Sequence, residues 1–314
     1  MQRYLLKRIV SLIPTLFGVT LLVFLMVRLI PGSIVEQIIG DMQVTEEFVN
    51  RLRTFFGLDR PIHEQYAIWL GNVLQGDLGR SWRTDLPVSQ MIVERLPVTI
   101  QLTVGAMLVA LIVGIPLGIL SAIRENTRLD HVVRVISLFS LSIPVFWQAT
   151  MLILGLSLWF KWAPLGYIDP VKDPIGNFQL MFWPCVVLGT SSAAQIMRLT
   201  RSSLLDVMRQ DYIRTARAKG LGESPVVWGH ALKNSFIPVL TVAGLQVGYL
   251  LGGLVVTEEV FTLPGIGRLL LWGIYQRDYP LIQGTILFVA VLFLLTNLIV
   301  DLLYGYFDPR IRYD

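Results

Sequence analysis

Charge is scarce in this chain. Lys and Arg number 26 and Asp and Glu 22 in 314 residues, or 15%, where a soluble domain carries about 25%. Too few ionic groups remain to cover a water-exposed surface, and with 54% hydrophobic residues a single soluble core is excluded. Cysteine is nearly absent. Cys185 stands alone inside an apolar run, so no internal disulfide forms and the thiol is expected to serve packing. The dipeptide Gly-Lys does not occur, which removes the Gly-x4-Gly-Lys-Ser/Thr phosphate cradle and with it the role of nucleotide-hydrolysing engine. His63, His131 and His230 fall in three separate segments. His63-Glu64 also lacks the second histidine of a metalloprotease site, so no metal site is assigned. Gly265-Ile-Gly267 lacks the third glycine of a dinucleotide fingerprint, and no Gly-x-Ser-x-Gly occurs. No residue is assigned a catalytic role.

What is present is length without charge. Residues 9–27, 96–123, 135–160, 174–197, 234–257 and 279–300 contain 19, 28, 26, 24, 24 and 22 residues free of Asp, Glu, Lys and Arg. About 20 apolar residues span the hydrocarbon core as a helix. The expected fold is all-α: a polytopic membrane protein with six transmembrane helices, at about 9–30, 97–123, 133–160, 177–203, 235–257 and 280–304. The first run is long for a signal-peptide core, and Arg28-Leu-Ile-Pro31-Gly32 offers no small-residue cleavage site, so it reads as a retained helix.

Lys and Arg beside short loops mark the cytoplasmic side. Arg3, Lys7 and Arg8 precede the first run, Arg124, Arg128 and Arg134 join the second to the third, and Arg310 and Arg312 end the chain. Segment 198–233 has seven basic against three acidic residues, net +4, whereas 31–95 has six Arg against nine acids, net −3. Both termini are therefore expected in the cytoplasm, and 31–95 outside.

Segment 31–95 reads as folded. Thr45 suits an N-cap before Glu46 and Glu47, with Phe48, Leu52, Phe55 and Phe56 as an apolar face and Gly57 as a stop. Pro61 suits the first turn of a second helix carrying Trp69, Leu70, Val73 and Leu74, with Gly76 beyond it. The pair is either a cap packed on the protein's own outer face or a docking surface for an external protein, and the two roles are compatible.

The cytoplasmic loop 204–233 draws a bent elbow. Asp211 can cap a short helix through Tyr212, Thr215, Ala216 and Lys219. Gly220 and Gly222 break it, and Ser224 and Pro225 start a helix toward the fifth span. This elbow is expected to lie beneath the membrane and present a small-residue surface that includes Ala216 and Ala218. The alternative is a solvated basic loop that only fixes topology. The seven basic residues of 198–233 are tied to membrane ends, so nucleic acid is not an expected partner. Gly244, Gly248 and Gly252 recur on one face of the fifth span, for tight helix packing or as a narrow pathway wall. Gly114 and Gly118 repeat the theme beside Pro116. Gln101, Gln148, Gln195, Gln246 and Asn297 lie inside spans, with Glu258 at the end of one, and would be satisfied by interhelical hydrogen bonds or by a water-filled path. Gln101, Gln148, Gln246, Glu258 and Asn297 are taken as candidate path residues.

Several strings carry a family resemblance. They include Arg28-Leu-Ile-Pro31-Gly32, Phe56-Gly57-Leu58-Asp59-Arg60-Pro61, Gly76-Asp77-Leu78-Gly79-Arg80-Ser81 and Arg95-Leu-Pro97-Val-Thr99. The elbow adds Asp211-Tyr212-Ile-Arg214-Thr215-Ala216-Arg217-Ala218-Lys219-Gly220-Leu221, then His230-Ala-Leu232-Lys233-Asn234 and Ile237-Pro238. Glu259-Val-Phe261-Thr-Leu-Pro264-Gly265-Ile-Gly267 and Asp308-Pro309-Arg310 follow. With these strings the chain resembles, nearly end to end, a permease subunit of the dipeptide/oligopeptide/nickel branch of binding-protein-dependent ABC importers. The wider importer pattern is Glu-Ala-Ala-x3-Gly-x9-Ile-x-Leu-Pro. Here Arg214-Thr215-Ala216-x3-Gly220, then His230, Leu232 and Lys233, share with it only one Ala, the Gly and the Leu, while the same strings fit the peptide-type version.

The resemblance implies a permease of the bacterial cytoplasmic membrane with no chemistry and no cofactor of its own. ATP and Mg would be held by two ATP-binding subunits that grip the elbow at Asp211, Tyr212, Arg214, Thr215, Ala216, Arg217, Lys219, Gly220 and Leu221. A second homologous permease, making a heterodimer, would complete the path, and an extracytoplasmic substrate-binding protein would deliver short peptides. Nickel or another small solute is the alternative cargo, and a stand-alone passive channel the alternative of another class. The charge asymmetry generates one expectation: a protease added outside intact cells cuts within 31–95 and leaves 204–233 whole, and the opposite pattern on a peptide map would overturn the orientation.

Overall fold

The computed structural model describes residues 2–29, 35, 39, 44–55, 57–164 and 166–307. Pro31-Gly32, Phe56 and Asp308-Pro309-Arg310 lie outside the described residues. The described elements are helices. They are α1 Gln2–Arg28, α2 Glu46–Phe55, α3 Ile62–Leu74, α4 Val88–Ile123, α5 Arg128–Ser142, α6 Val145–Phe160, α7 Pro174–Met208 and α8 Asp211–Ala218. A single turn at Glu223–Pro225 and a π-helical stretch Val226–Ala231 lead into α9 Leu232–Val260, followed by α10 Ile266–Tyr275 and α11 Tyr279–Phe307.

Four helices are long and apolar enough to cross a membrane, and two bent pairs bring the number to six if each pair is one span. The third expected span is not a rod. α5 and α6 meet at 103° because Pro144 has no N–H to donate and disfavours the α conformation at Ile143, which is extended (ψ 126°). Gln148 Nε2 then donates to the carbonyls of Ser140 (3.1 Å) and Ile143 (3.0 Å), which the break leaves without helical partners. The helices also run past the expected span ends, since α4 begins at Val88 and α7 continues to Met208.

Contacts divide the described chain into two compact units, one of Val98–Pro264 with the residues from Thr296 onward, the other of Gln2–Pro97 with Gly265–Leu295. In the first unit α7 is the central rod, with two thirds of its apolar window buried. Small residues let its neighbours close on it. A Cβ added to Gly114 of α4 would stand 2.6 Å from the Ala193 carbonyl, one on Gly118 would meet Thr200 Cβ at 2.6 Å, and one on Gly189 of α7 would lie 2.5 Å from the Ala106 carbonyl. Cys185 sits against Gly105, so the lone thiol fills the space that a glycine leaves. Ala110, Ala193, Ile196, Val239 and Ala243 then form one layer of α4, α7 and α9. Where lipid removes the hydrophobic drive between spans, such close contact supplies the packing. A Cβ on Gly244 of α9 would collide with Val300 of α11, and Gly248 is buried. The surroundings of Gly252 lie outside the described residues.

In the second unit α3 lies along α1. Thr20 Oγ1 and Tyr66 OH share a hydrogen bond of 2.9 Å, and the Phe24 ring stands 5.2 Å from Tyr66 and 5.7 Å from Trp69. Thr45 accepts from the Phe48 N–H at 3.4 Å, and Gly57 (φ +61°) closes α2. Pro61 precedes α3 as its N-cap, one position outside the expected first turn, and Leu74 faces outward at 80% exposure instead of joining Trp69 in the stripe. The loop after Gly76 is pinned by buried Asp278. Its carboxylate accepts from Ser81 Oγ (2.5 Å) and from the N–H groups of Trp82 (3.2 Å) and Leu281 (3.3 Å).

The close approach of α4 to α7 predicts that Gly118→Ala lowers stability by about 1–3 kcal/mol, whereas Gly18→Ala, with nothing within 4 Å of the new methyl, does not. Thermal unfolding of the purified protein in detergent compares the two.

Candidate functional site

The elbow is built on a helix with two unlike faces. α8 turns Ile213, fully buried, and Ala216 inward, where they join Ile119 and Ala122 of α4, Leu204 of α7, and Val226 and Ala231 of the π-helical stretch in one apolar cluster. Burying a side chain the size of Ile213 contributes about 1.5–3 kcal/mol. This corrects the expected small-residue surface, because Ala216 belongs to the inward face and the outward face carries Asp211, Tyr212, Arg214, Thr215, Arg217, Ala218 and Lys219. The reason is the helical period, since Ile213 and Ala216 are three apart and must share a face. Trp228, 59% exposed, extends the outward surface, and no spacing argument in the sequence singled it out.

The ends of α8 are defined by backbone geometry. Gln210, not Asp211, is the N-cap, without a side-chain capping bond. Asp211 lies in the first turn, where its carboxylate is favoured by the helix dipole and faces Arg214 at 3.5 Å. At the other end Gly220 adopts φ +85°. Its N–H donates to the Arg217 carbonyl (2.9 Å) and that of Leu221 to the Ala216 carbonyl (3.3 Å), closing the helix in the left-handed turn that glycine adopts without strain. Arg217 then forms a two-pronged ion pair with Glu223 across the break (2.8 and 3.1 Å), and Asn234 Nδ2 of α9 donates to Tyr212 OH at 2.9 Å. Both sides of the elbow are tied to helices that enter the membrane.

Beside this cluster lies an ion pair that the sequence reading missed. Asp130, with no exposed surface, accepts two bonds from Arg201 of α7, Nε to Oδ1 at 2.8 Å and Nη2 to Oδ2 at 2.9 Å. Ser121 Oγ of α4 donates at 2.5 Å and the Asn126 N–H at 3.0 Å, while Arg134 Nε stands 3.4 Å away. One carboxylate thus fastens the ends of α4, α5 and α7. The available signal was an acid, Asp130, set between Arg128 and Arg134, which topology alone did not require.

The polar residues expected in the spans are placed separately. Gln101 bonds Asn177 and accepts from Tyr167 OH at 3.0 Å, and burial pushes the Tyr167 phenol pKa up. Gln148 serves the break described above. Gln246 is buried and donates to Gln195 across α7 and α9. Glu258 is turned fully inward, its carboxylate accepting from Thr99 Oγ1 at 2.7 Å. Asn297 is half-buried on α11. Of these, the structure joins only Gln246 to another span glutamine, Gln195.

Helices long and apolar enough to cross a membrane, with one short helix packed against the ends of two of them and its polar face outward, define a multi-pass membrane protein. Residues 114–313 match the family described as the binding-protein-dependent transport system inner membrane component, and residues 1–103 match its N-terminal companion; the chain belongs to this family and is a multi-pass inner-membrane protein. It is 42% identical over 334 residues to the di/tripeptide transport system permease protein DppB of Pseudomonas aeruginosa (strain UCBPP-PA14), covering all of this chain and 99% of the relative. It is 40% identical over 338 residues to the dipeptide transport system permease protein DppB of Escherichia coli (strain K12), with the same coverage. Among solved structures the fold is similar to a chain of the MetNI methionine ABC transporter in an inward-facing conformation. That likeness has a TM-score of 0.58 at 17% identity and covers 70% of this chain and 97% of the other.

The buried pair yields a prediction. Removing one partner of a buried ion pair leaves the other charge uncompensated, so Asp130→Ala should cost roughly 3–5 kcal/mol, and Asp130→Ala with Arg201→Leu less than the sum of the single changes. A double-mutant cycle by denaturant unfolding in micelles measures the coupling, and additive costs would count against it.

Proposed function

We propose that this chain is the permease subunit of an ATP-driven importer of short peptides, forming half of the path with a second, homologous permease. Two ATP-binding subunits grip the elbow at Asp211, Tyr212, Arg214, Thr215, Arg217, Lys219, Gly220 and Leu221, with Ala216 seating the helix from its inner face. ATP and Mg belong to those subunits, and this chain contributes no bond-making chemistry. Both termini and the elbow face the cytoplasm, and an extracytoplasmic binding protein delivers cargo to the opposite face, where α2 and α3 lie. The short-peptide cargo is supported by the names of the relatives.

The observation that carries the reading is the division of α8 into an inward face welded to span ends and an outward face with no such packing. A push on the outward face cannot be absorbed locally. Ile213 and Ala216 press on α4 and α7, Asn234 hands the displacement to α9 through Tyr212, and close-packed helices move as rigid elements. Closure of the ATP-binding subunits then rocks the spans between outward-open and inward-open states. Gln246 with Gln195, and Gln101, Gln148, Glu258 and Asn297, are the polar groups proposed to meet the opening path, while Gly244 and Gly248 allow α9 to approach its neighbours closely.

Gly220→Val tests the lever. Nothing lies within 4 Å of the added Cβ, so the change acts through backbone strain at φ +85° and not through a clash. In vesicles containing the assembled importer, peptide uptake per ATP hydrolysed should fall about tenfold or more, while membrane insertion is retained. Unchanged uptake per ATP would remove the elbow from the mechanism.

A further inference from the structure

In the second unit a cavity of about 640 Å³ opens between the end of α1, α3 and the beginning of α11. Arg28 ends the apolar span of α1 and Tyr279 begins that of α11, so both helices leave the bilayer at this cavity and its mouth stands at headgroup depth. Trp69 and Tyr279 line it, the two residue types that concentrate at that depth.

Its chemistry is that of an anion site. Arg28 donates from Nε to Gln65 Oε1 at 2.9 Å and from Nη1 to the Phe24 carbonyl at 3.5 Å and lies 3.6 Å over the Phe24 ring, which leaves three of its five N–H donors without a partner among the described residues. Arg60 is exposed at the rim, and among the described residues no carboxylate pairs with either guanidinium. The wall also contains Asp77 and Arg80. Arg80 is paired with Asp85 at 3.0 Å, and Asp77, whose Oδ1 accepts from the Gly79 N–H at 2.8 Å, keeps its negative charge, so Arg28 and Arg60 against that one carboxylate leave the wall with a net positive charge. From the inner side comes Gln283, 6% exposed, whose Nε2 finds no hydrogen-bond partner among the described residues. A buried amide without an acceptor is costly, and an oxyanion in the cavity would satisfy it.

We propose that this cavity holds the phosphate group of a membrane phospholipid, with Arg28 and Arg60 as its ionic partners and the Gln283 amide as a donor. A lipid is favoured over free phosphate because the surface of α1 next to the site is apolar and outward-facing, with Leu22 69% and Leu29 75% exposed. Acyl chains can lie there while the headgroup turns into the cavity. The site would clamp α1 to α11 through a molecule of the bilayer itself.

The test uses the intact importer, purified with its partner chains and stripped of lipid in detergent. Phosphatidylglycerol, diacylglycerol with the same acyl chains, and inorganic phosphate are titrated separately, and bound molecules are counted by native mass spectrometry. Phosphatidylglycerol should be retained in preference to diacylglycerol. Arg60→Gln, whose side chain has no hydrogen bond or ion pair among the described residues, should weaken that retention about tenfold. Gln283→Leu should weaken it about fivefold without lowering thermal stability in the lipid-free state, since it removes an unpaired amide. Equal retention of both lipids, retention unchanged in the two variants, or binding of inorganic phosphate with no phosphatidylglycerol retained would each overturn the proposal.

Discussion

The bidentate bond between Arg201 and Asp130 is the interaction on which the elbow end of the first unit depends. A carboxylate with no exposed surface survives only with a full set of partners, and Asp130 draws those partners from three helices: Ser121 from α4, Arg134 from its own α5, and Arg201 from α7. One turn further along α7, Leu204 enters the apolar cluster that seats α8. Polar clamp and apolar seat are therefore consecutive layers on the same helices, and the position of α8 is inherited from the clamp beside it.

Within the hydrocarbon, burial cannot drive one helix onto another, because lipid is as apolar as the side chains. The structure relies on backbone approach. Gly105, Gly114 and Gly118 on α4 face Cys185, Ala193 and Thr200 on α7, each pair leaving no room for a further methyl group. This contact makes α7 a fixed axis, and the bend at Pro144 lets α5 and α6 pass around it, with the freed carbonyls bound by Gln148.

Much of this was legible in the sequence. The six charge-free runs located the four long apolar helices and the two bent pairs, because the cost of a charge in lipid is strong enough to shape composition. Gly57, Gly76 and Gly220 marked helix ends that the structure finds at φ +61°, +84° and +85°, since each stop is a local property of glycine. The cluster Asp211 to Leu221 marked the elbow, and Gly220 its end. The inward turn of Ala216 was available in the three-residue spacing from Ile213, but a short helix does not declare which of its faces has a partner.

Composition, charge and glycine placement are written residue by residue, so the sequence by itself determined that the chain is a helical membrane protein, where its apolar runs lie and where the elbow helix stops. Tertiary structure decided that Asp130 belongs to Arg201, 71 residues away, that Gln246 meets Gln195, that the third apolar run turns through 103°, and that Gln283, whose Nε2 has no partner among the described residues, faces a cavity edged by Arg28 and Arg60. Each of these depends on two or more segments arriving at one place, and the energy of a buried polar group is set by what arrives there.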